Sequence, residues 1–149
     1  MGLKERLKED LTASMRSRDE VRTGTIRMVL TAITNEEVAG KELRILVDAE
    51  IITVLSREAK KRREAAEAFD SAGSKDRAEL ERKEGGSIAE YLPAQLSEAE
   101  LKEMIAAAIA ESGATGPAGM GLVMKVLSPK IAGRADGAAV SAAVKAALN

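Results

Sequence analysis

The stretch Gly119–Gly137 decides the fold of this chain, and it reads G-M-G-L-V-M-K-V-L-S-P-K-I-A-G-R-A-D-G. Apolar residues recur in it at i, i+3, i+4 and i+7, the pattern of one helix face: Met120, Val123, Met124 and Leu127. Gly133 follows where that helix should end in the left-handed conformation, in which a Cβ costs about 1–2 kcal/mol. Asp136 then stands at the expected N-cap of an alanine-rich run. The stretch therefore predicts a helix, a glycine turn and a second helix.

Upstream of this stretch, helix-breaking and helix-capping residues predict one more helix and a short connecting segment before it. Pro93 pushes the residue that precedes it out of the helical region, so an earlier helix should stop near Leu92. Ser97 begins the pattern S-E-A-E, a capping box for a helix from Glu98 to Glu111. Pro117 fits the first turn of the next helix, which we expect to end at Lys130 or Ile131.

The first part of the chain shows four predicted helical segments, several with their own start and stop signals. Leucines and a methionine at i, i+4 spacing predict a helix within residues 2–18. Asp19 is placed to cap a second helix, which Gly40 should end. Asp48 is the expected N-cap of a long third helix. A fourth helix should follow from about Asp76 toward Tyr91.

Two glycine positions carry specific expectations. Gly85-Gly86 falls inside the fourth helix, where two glycines cost roughly 2 kcal/mol relative to alanines, so we expect a bend or fraying there. Gly121 lies one residue off the apolar face of its helix, and we expect it to let a neighbouring helix approach closely. Four methionines at helical spacing are predicted to lie in the core: Met28, Met104, Met120 and Met124.

The pattern as a whole predicts an all-α protein with no strand alternation. A four-helix N-terminal domain should occupy residues 1–93, and a small three-helix domain residues 94–149. No window approaches 18 apolar residues and the N-terminus is charged, so the sequence predicts a soluble cytoplasmic protein without a membrane span.

Composition excludes several classes of function. The 149 residues contain no Cys and no His, which removes thiolate nucleophiles, Cys/His zinc sites and the commonest general base. No glycine-rich phosphate loop with its Lys-Ser/Thr is present, so nucleotide hydrolysis has no support. We therefore expect no catalytic residue, no metal and no cofactor.

Charge is uneven along a chain whose formal net charge is −1. The helix at 98–111 has four acidic residues against Lys102. The segment after Pro117 has four basic residues against Asp136: Lys125, Lys130, Arg134 and Lys145. This distribution fits either a polarised binding surface or a surface scatter. Lys60, Lys61 and Arg62 in the third helix fit either a solvated face with i,i+4 pairs or a phosphate-binding edge.

Several short motifs in order resemble the GatB/YqeY family, which comprises free-standing YqeY proteins and the tail domain of the GatB component of the tRNA-dependent amidotransferase. The resemblance rests on these segments: Arg27-Met28-Val29, Asn35-Glu36, Val54-Leu55-Ser56-Arg57-Glu58, Lys60-Lys61-Arg62, Tyr91-Leu92-Pro93-Ala94-Gln95-Leu96-Ser97 and the stretch from Gly119 to Gly137. It covers nearly the whole chain.

In the amidotransferase the similar tail domain contacts the elbow of tRNA, so the resemblance implies that Lys125, Lys130 and Arg134 meet RNA phosphates. One departure counts against this, because the family's polar residues around Met120-Gly121 are replaced here by Pro117, Gly119 and Leu122. Two side chains have structural expectations. The ring of Tyr91 should pack between the two parts with its hydroxyl on a backbone carbonyl, and Asp136 should cap a helix rather than act as an acid.

Three functions follow from the resemblance and the composition. The first is a non-catalytic accessory protein that binds tRNA or an aminoacyl-tRNA-handling enzyme. The second is a helical protein–protein adaptor without RNA. The third is a component of a glutamine-dependent carbon–nitrogen ligase system, the label the family often carries. Ammonia release from glutamine needs an activated nucleophile, and the sequence has neither Cys nor a matching serine-rich motif.

Overall fold

The computed structural model describes residues 1–149 and contains helices and no strands. Seven α-helices follow in order: α1 (Leu3–Arg16), α2 (Glu20–Val38), α3 (Asp48–Ser71), α4 (Lys75–Ala89), α5 (Glu98–Ser112), α6 (Met120–Ile131) and α7 (Gly137–Leu148). A single 3₁₀ turn at Pro117–Gly119 precedes α6. The all-α prediction is confirmed. No helix combines the length and the apolar run that crossing a bilayer requires.

Backbone contacts divide the chain into two compact units, an N-terminal unit (Met1–Leu92) and a C-terminal unit (Pro93–Asn149). The N-terminal unit contains α1–α4 and the C-terminal unit α5–α7. The division into one domain of residues 1–93 and another of residues 94–149 stays a prediction.

Aliphatic side chains form the core of the N-terminal unit. Fully buried residues from all four helices meet there, among them Leu7, Ile26, Ile33, Leu55 and Ile88. The second helix starts as expected, because the side chain of Asp19 accepts a hydrogen bond from the backbone N–H of Arg22 at 3.1 Å. The third starts one residue earlier than expected, with Val47 at the N-cap. Asp48 instead accepts a hydrogen bond from the N–H of Leu3 at 3.1 Å.

The expected fraying at Gly85-Gly86 is wrong, because α4 runs unbroken from Lys75 to Ala89; the expected bend stays a prediction. A Cβ added at Gly85 would lie 3.6 Å from the Cβ of Arg62, an ordinary van der Waals distance to α3. Packing of α4 along α3 therefore supplies contacts that offset the low helix propensity of the two glycines.

The Gly119–Gly137 stretch folds largely as its pattern predicts. Val123, Leu127 and Ile131 are buried in the core of the C-terminal unit, with Val140, Val144 and Leu148 of α7. Met120 and Met124 are partly buried and pack against this core, as does Met104, and Met28 packs in the same way on the N-terminal core. α6 ends at Ile131 as expected, and Gly133 has the left-handed φ of +72°. Asp136 occupies the N-cap position of α7, without a side-chain capping hydrogen bond.

The expectation for Gly121 is wrong. This residue is exposed, and a Cβ built on it would meet no atom within 4 Å. The glycine that permits a close approach is Gly119, where an added Cβ would lie 2.6 Å from the Cβ of Ala114. The contact is with the loop after α5, so periodicity along α6 alone could not identify it.

Gly133→Val should lower the free energy of unfolding of the C-terminal unit by about 1–2 kcal/mol or more, because valine is strained at φ +72°. Thermal unfolding followed by circular dichroism measures the change. Gly121→Val is the matched control, since Gly121 is exposed with open space around it. An unchanged melting temperature for Gly133→Val would contradict the left-handed cap.

Candidate functional site

Two of the motif segments clasp each other within the C-terminal unit. The N–H of Leu96 donates to the carbonyl of Arg134 at 2.9 Å, and Arg134 Nε donates to the carbonyl of Ala94 at 3.0 Å. Gln95 Nε2 donates to the carbonyls of Gly133 and Pro93 at 2.8 and 2.9 Å. The segment that begins at Pro93 is thus tied to the glycine turn after α6. This clasp gives both motifs a structural role and holds Arg134 in place.

The three predicted RNA-contacting residues lie in α6 and just after it, but they do not form one cluster. Lys125 is exposed and forms no ion pair. Lys130 Nζ lies 3.1 Å from Glu111 Oε2, and both side chains are more than half exposed. Five residues separate the two lysines, which is about 140° around a helix, so they lie on different sides of α6. Arg134 follows in the turn, with Nε bound to the clasp.

Acidic and basic residues lie on different helices of the C-terminal unit. Acidic residues are concentrated on α5, and basic residues on α6, the turn and α7. Lys125 and Lys145 are both exposed and have no carboxylate partner. An exposed ion pair such as Lys130–Glu111 contributes little to stability and can be exchanged for another anion. The side chains of Lys125, Lys130 and Lys145 are therefore all exposed to solvent.

The secondary basic residues of α3 have carboxylate partners. Lys60 lies 4.0 Å from Glu64, and Lys61 donates to Glu58 at 3.0 Å. Arg62 is mostly buried against α4, 3.3 Å from Glu84 and 3.4 Å from Glu81. The sequence left two interpretations of this segment, a helix face with ion pairs and a phosphate-binding edge. These contacts agree with the first. Arg62 does not share an exposed edge with the lysines.

Tyr91 lies in the core of the N-terminal unit and is only 5% exposed. Its hydroxyl donates to Asp10 Oδ2 at 2.5 Å and accepts from Arg22 Nη2 at 3.3 Å. The guanidinium of Arg6 lies 4.8 Å from the ring centroid, a cation–π contact. Burial, and then the hydrogen bond to Asp10, raise the pKa of Tyr91 to about 12. The expected bond to a backbone carbonyl is therefore wrong.

One arrangement of polar residues was not predicted as a site. A cleft of about 340 Å³, here called the α2–α3 cleft, is lined by Ala32, Asn35, Glu36, Ala39, Val54, Arg57, Glu58 and Lys61. Four of these residues come from α2 and its C-cap, Ala39, and four from α3. Each set stands at i, i+3, i+4 and i+7 and so forms one helix face. That spacing is a signal in the sequence, but only the fold shows that the two faces meet.

Comparison with known proteins identifies a family for nearly the whole chain. The family model described as "Yqey-like protein" matches residues 4–148. The match therefore includes helices of both units. The chain matches no curated protein.

Proposed function

The chain belongs to the YqeY-like family, and we propose that it is a non-catalytic accessory protein of tRNA metabolism that binds folded tRNA through its C-terminal unit. One observation carries the proposal. The chain after Pro117 has four basic residues against one acidic residue, and Lys125 and Lys145 among them are exposed without a carboxylate partner. Resemblance to a tail domain that contacts the tRNA elbow supports the choice of RNA.

The aromatic residues favour folded RNA over single strands. Binding of single strands uses aromatic side chains on which bases stack. The only two in the chain, Phe69 and Tyr91, both belong to the N-terminal unit, and Tyr91 is buried. Contact with folded RNA through phosphates and ribose does not need such residues. An aminoacyl-tRNA-handling enzyme, such as an amidotransferase, is the partner class that would use such a complex.

The double variant K125E/K130E should weaken binding of total tRNA at least about tenfold at low salt, since two phosphate contacts are lost and two repulsive charges added. Filter binding at several salt concentrations measures this. For wild type we expect a slope of about −2 to −3 in log K against log [salt], falling by about one unit for each lysine removed. A duplex RNA serves as the non-tRNA comparison.

The matched control is K75E/K83E, which changes the charge equally at exposed lysines of α4 that form no ion pair. Arg134→Lys keeps the positive charge but removes the Nε donor of the clasp. If Arg134 contributes its charge to the RNA contact, this variant should keep binding. No retention of tRNA by wild type at micromolar protein would contradict the proposal. If instead changes at Lys60 and Lys61 are the damaging ones, the RNA contact lies in the N-terminal unit.

A second candidate, a protein–protein adaptor without RNA, is favoured by the loop between α2 and α3. Leu43 and Ile45 are 74% and 79% exposed, and Val47 is exposed as well. The loop is held in place: buried Leu46 donates its N–H to Glu37 Oε2 at 3.2 Å, and Glu37 pairs with Lys4 at 2.6 Å. Ordered, exposed aliphatic side chains are a feature of interaction surfaces. Failure of tRNA binding would leave this function as the better supported one.

A further inference from the structure

The α2–α3 cleft combines charges of both signs with an aliphatic wall. Glu36 and Glu58 contribute carboxylates, Arg57 and Lys61 contribute cations, and Asn35 contributes an amide that makes no hydrogen bond within the protein. Ala32, Ala39 and Val54 supply the aliphatic part. Its volume of about 340 Å³ lies within the usual range for small-ligand sites. The cleft belongs to the N-terminal unit alone and has no part in the proposed RNA contact.

The charges in the cleft are only partly satisfied by one another. Arg57 Nη1 lies 3.7 Å from Glu36 Oε2, which is too long for a hydrogen bond, and the Arg57 side chain is 58% exposed. The guanidinium therefore keeps its paired N–H donors for an incoming group. Glu58 is 7% exposed, and the contact of its Oε1 with Lys61 Nζ at 3.0 Å engages one of its two oxygens. A carboxylate buried this deeply needs a cationic partner.

We propose that the α2–α3 cleft binds a free α-amino acid with a small aliphatic side chain. The ligand carboxylate accepts hydrogen bonds from Arg57 and Lys61, and its ammonium donates to Glu58 and Glu36. The side chain packs on the aliphatic wall. Arg57 suits the carboxylate because a guanidinium donates two parallel hydrogen bonds to it.

The charge balance favours a zwitterion over a simple ion. An anion alone would meet the carboxylates of Glu36 and Glu58, and a cation alone would meet Arg57 and Lys61. Each would face repulsion from groups within the same cleft. A ligand that carries both charges, close together, matches both sets.

The experiment is an NMR titration of the full chain with L-valine, followed at the amide signals of residues 32–39 and 54–61. We expect saturable shifts confined to these residues, with a dissociation constant on the order of 1 mM, as a ligand of this size allows. Isovalerate, which lacks the ammonium, and isobutylamine, which lacks the carboxylate, should each bind at least about tenfold more weakly.

Two variants test the assigned contacts. Glu58→Gln keeps the side-chain shape and removes the charge, and Arg57→Gln removes the guanidinium but keeps a polar side chain. Each should weaken L-valine binding at least about tenfold. Arg63→Gln is the control, because Arg63 lies exposed on the same helix outside the cleft and forms no ion pair. The absence of saturable shifts up to about 20 mM L-valine would overturn the proposal. So would equal binding of isovalerate, or unchanged binding by both cleft variants while their spectra show a folded protein.

Discussion

Replacing Tyr91 by alanine should lower the free energy of unfolding of the N-terminal unit by about 3–5 kcal/mol, the usual cost of removing a buried aromatic ring. Tyr91 is the only buried aromatic residue of the chain and lies among Leu7, Ile26 and Leu55 in the core cluster. Its removal leaves a cavity where four helices pack. For a unit of this size the melting temperature should fall by about 12 °C or more.

The cost has a polar part as well. The Tyr91 hydroxyl connects Asp10 of α1 with Arg22 of α2. Arg22 also pairs with Glu90, at 2.5 Å, and that contact brings the end of α4 to the same point. A single hydroxyl therefore lies at the junction of three helices. Without it, Asp10 loses its hydrogen-bond donor and keeps only the longer contacts of its Oδ2 with Arg22 at 3.8 Å and with Arg6 at 4.0 Å.

Tyr91→Phe separates the contribution of the ring from that of the hydroxyl, because it keeps the ring and removes the hydroxyl. We expect it to cost about 1–2 kcal/mol, less than the alanine effect. Urea unfolding of wild type and both variants gives the comparison. If Tyr91→Ala unfolds at the same urea concentration as wild type, the ring does not stabilise the fold and its buried placement is wrong.

Wild type and Tyr91→Phe should also differ in how their stability depends on pH. The pKa of Tyr91 is about 12 in the folded chain and 10.0 without the surrounding protein, because burial and the bond to Asp10 favour the neutral phenol. In the unfolded chain the phenol ionises near pH 10, so ionisation stabilises the unfolded state above that pH. The advantage of wild type over Tyr91→Phe should be constant below pH 10 and decline between pH 10 and pH 12.

Local signals in the sequence predicted local structure well. The caps at Asp19 and Ser97 are confirmed by hydrogen bonds to the N–H groups of Arg22 and Glu100. The left-handed turn at Gly133 is confirmed by its φ. These features depend on residues within about one helical turn, so short-range rules suffice.

Short-range rules do not predict features that depend on residues far away in the sequence. The partner of the Tyr91 hydroxyl, Asp10, is 81 residues away. Gly85-Gly86 is a poor helix sequence by propensity, and packing along α3 overrides this. The pairing of Arg62 with Glu81 and Glu84 likewise depends on how α3 and α4 align.

The candidate sites show the same division. The charge bias after Pro117 is visible in the sequence, but helix geometry places Lys125 and Lys130 on different sides of α6. Each of the two helices contributes half of the α2–α3 cleft, and that half is visible in the sequence as a stripe of polar and aliphatic residues. The two stripes form one cleft only because α2 packs on α3, and residue spacing does not specify that packing.

Gly119→Val should lower the free energy of unfolding of the C-terminal unit by about 3 kcal/mol or more, at the upper end of what overpacking costs. Gly119 has φ −82°, which any residue adopts, so backbone strain does not contribute. The cost is steric: the first added carbon already lies 2.6 Å from the Cβ and 3.2 Å from the Cα of Ala114. A unit of this size has little stability in reserve.

A double-mutant cycle identifies the contact. Gly119→Ala adds only the Cβ, and Ala114→Gly removes the atom that this Cβ would meet most closely. If the clash is the cause, the double variant should be more stable than the sum of the two single effects predicts, by about 1 kcal/mol or more. Gly121→Ala, with open space two residues along, should be neutral or slightly stabilising. Strict additivity of Gly119→Ala and Ala114→Gly would show that the two residues do not touch. The close approach of the α5–α6 loop to the start of α6 would then be wrong.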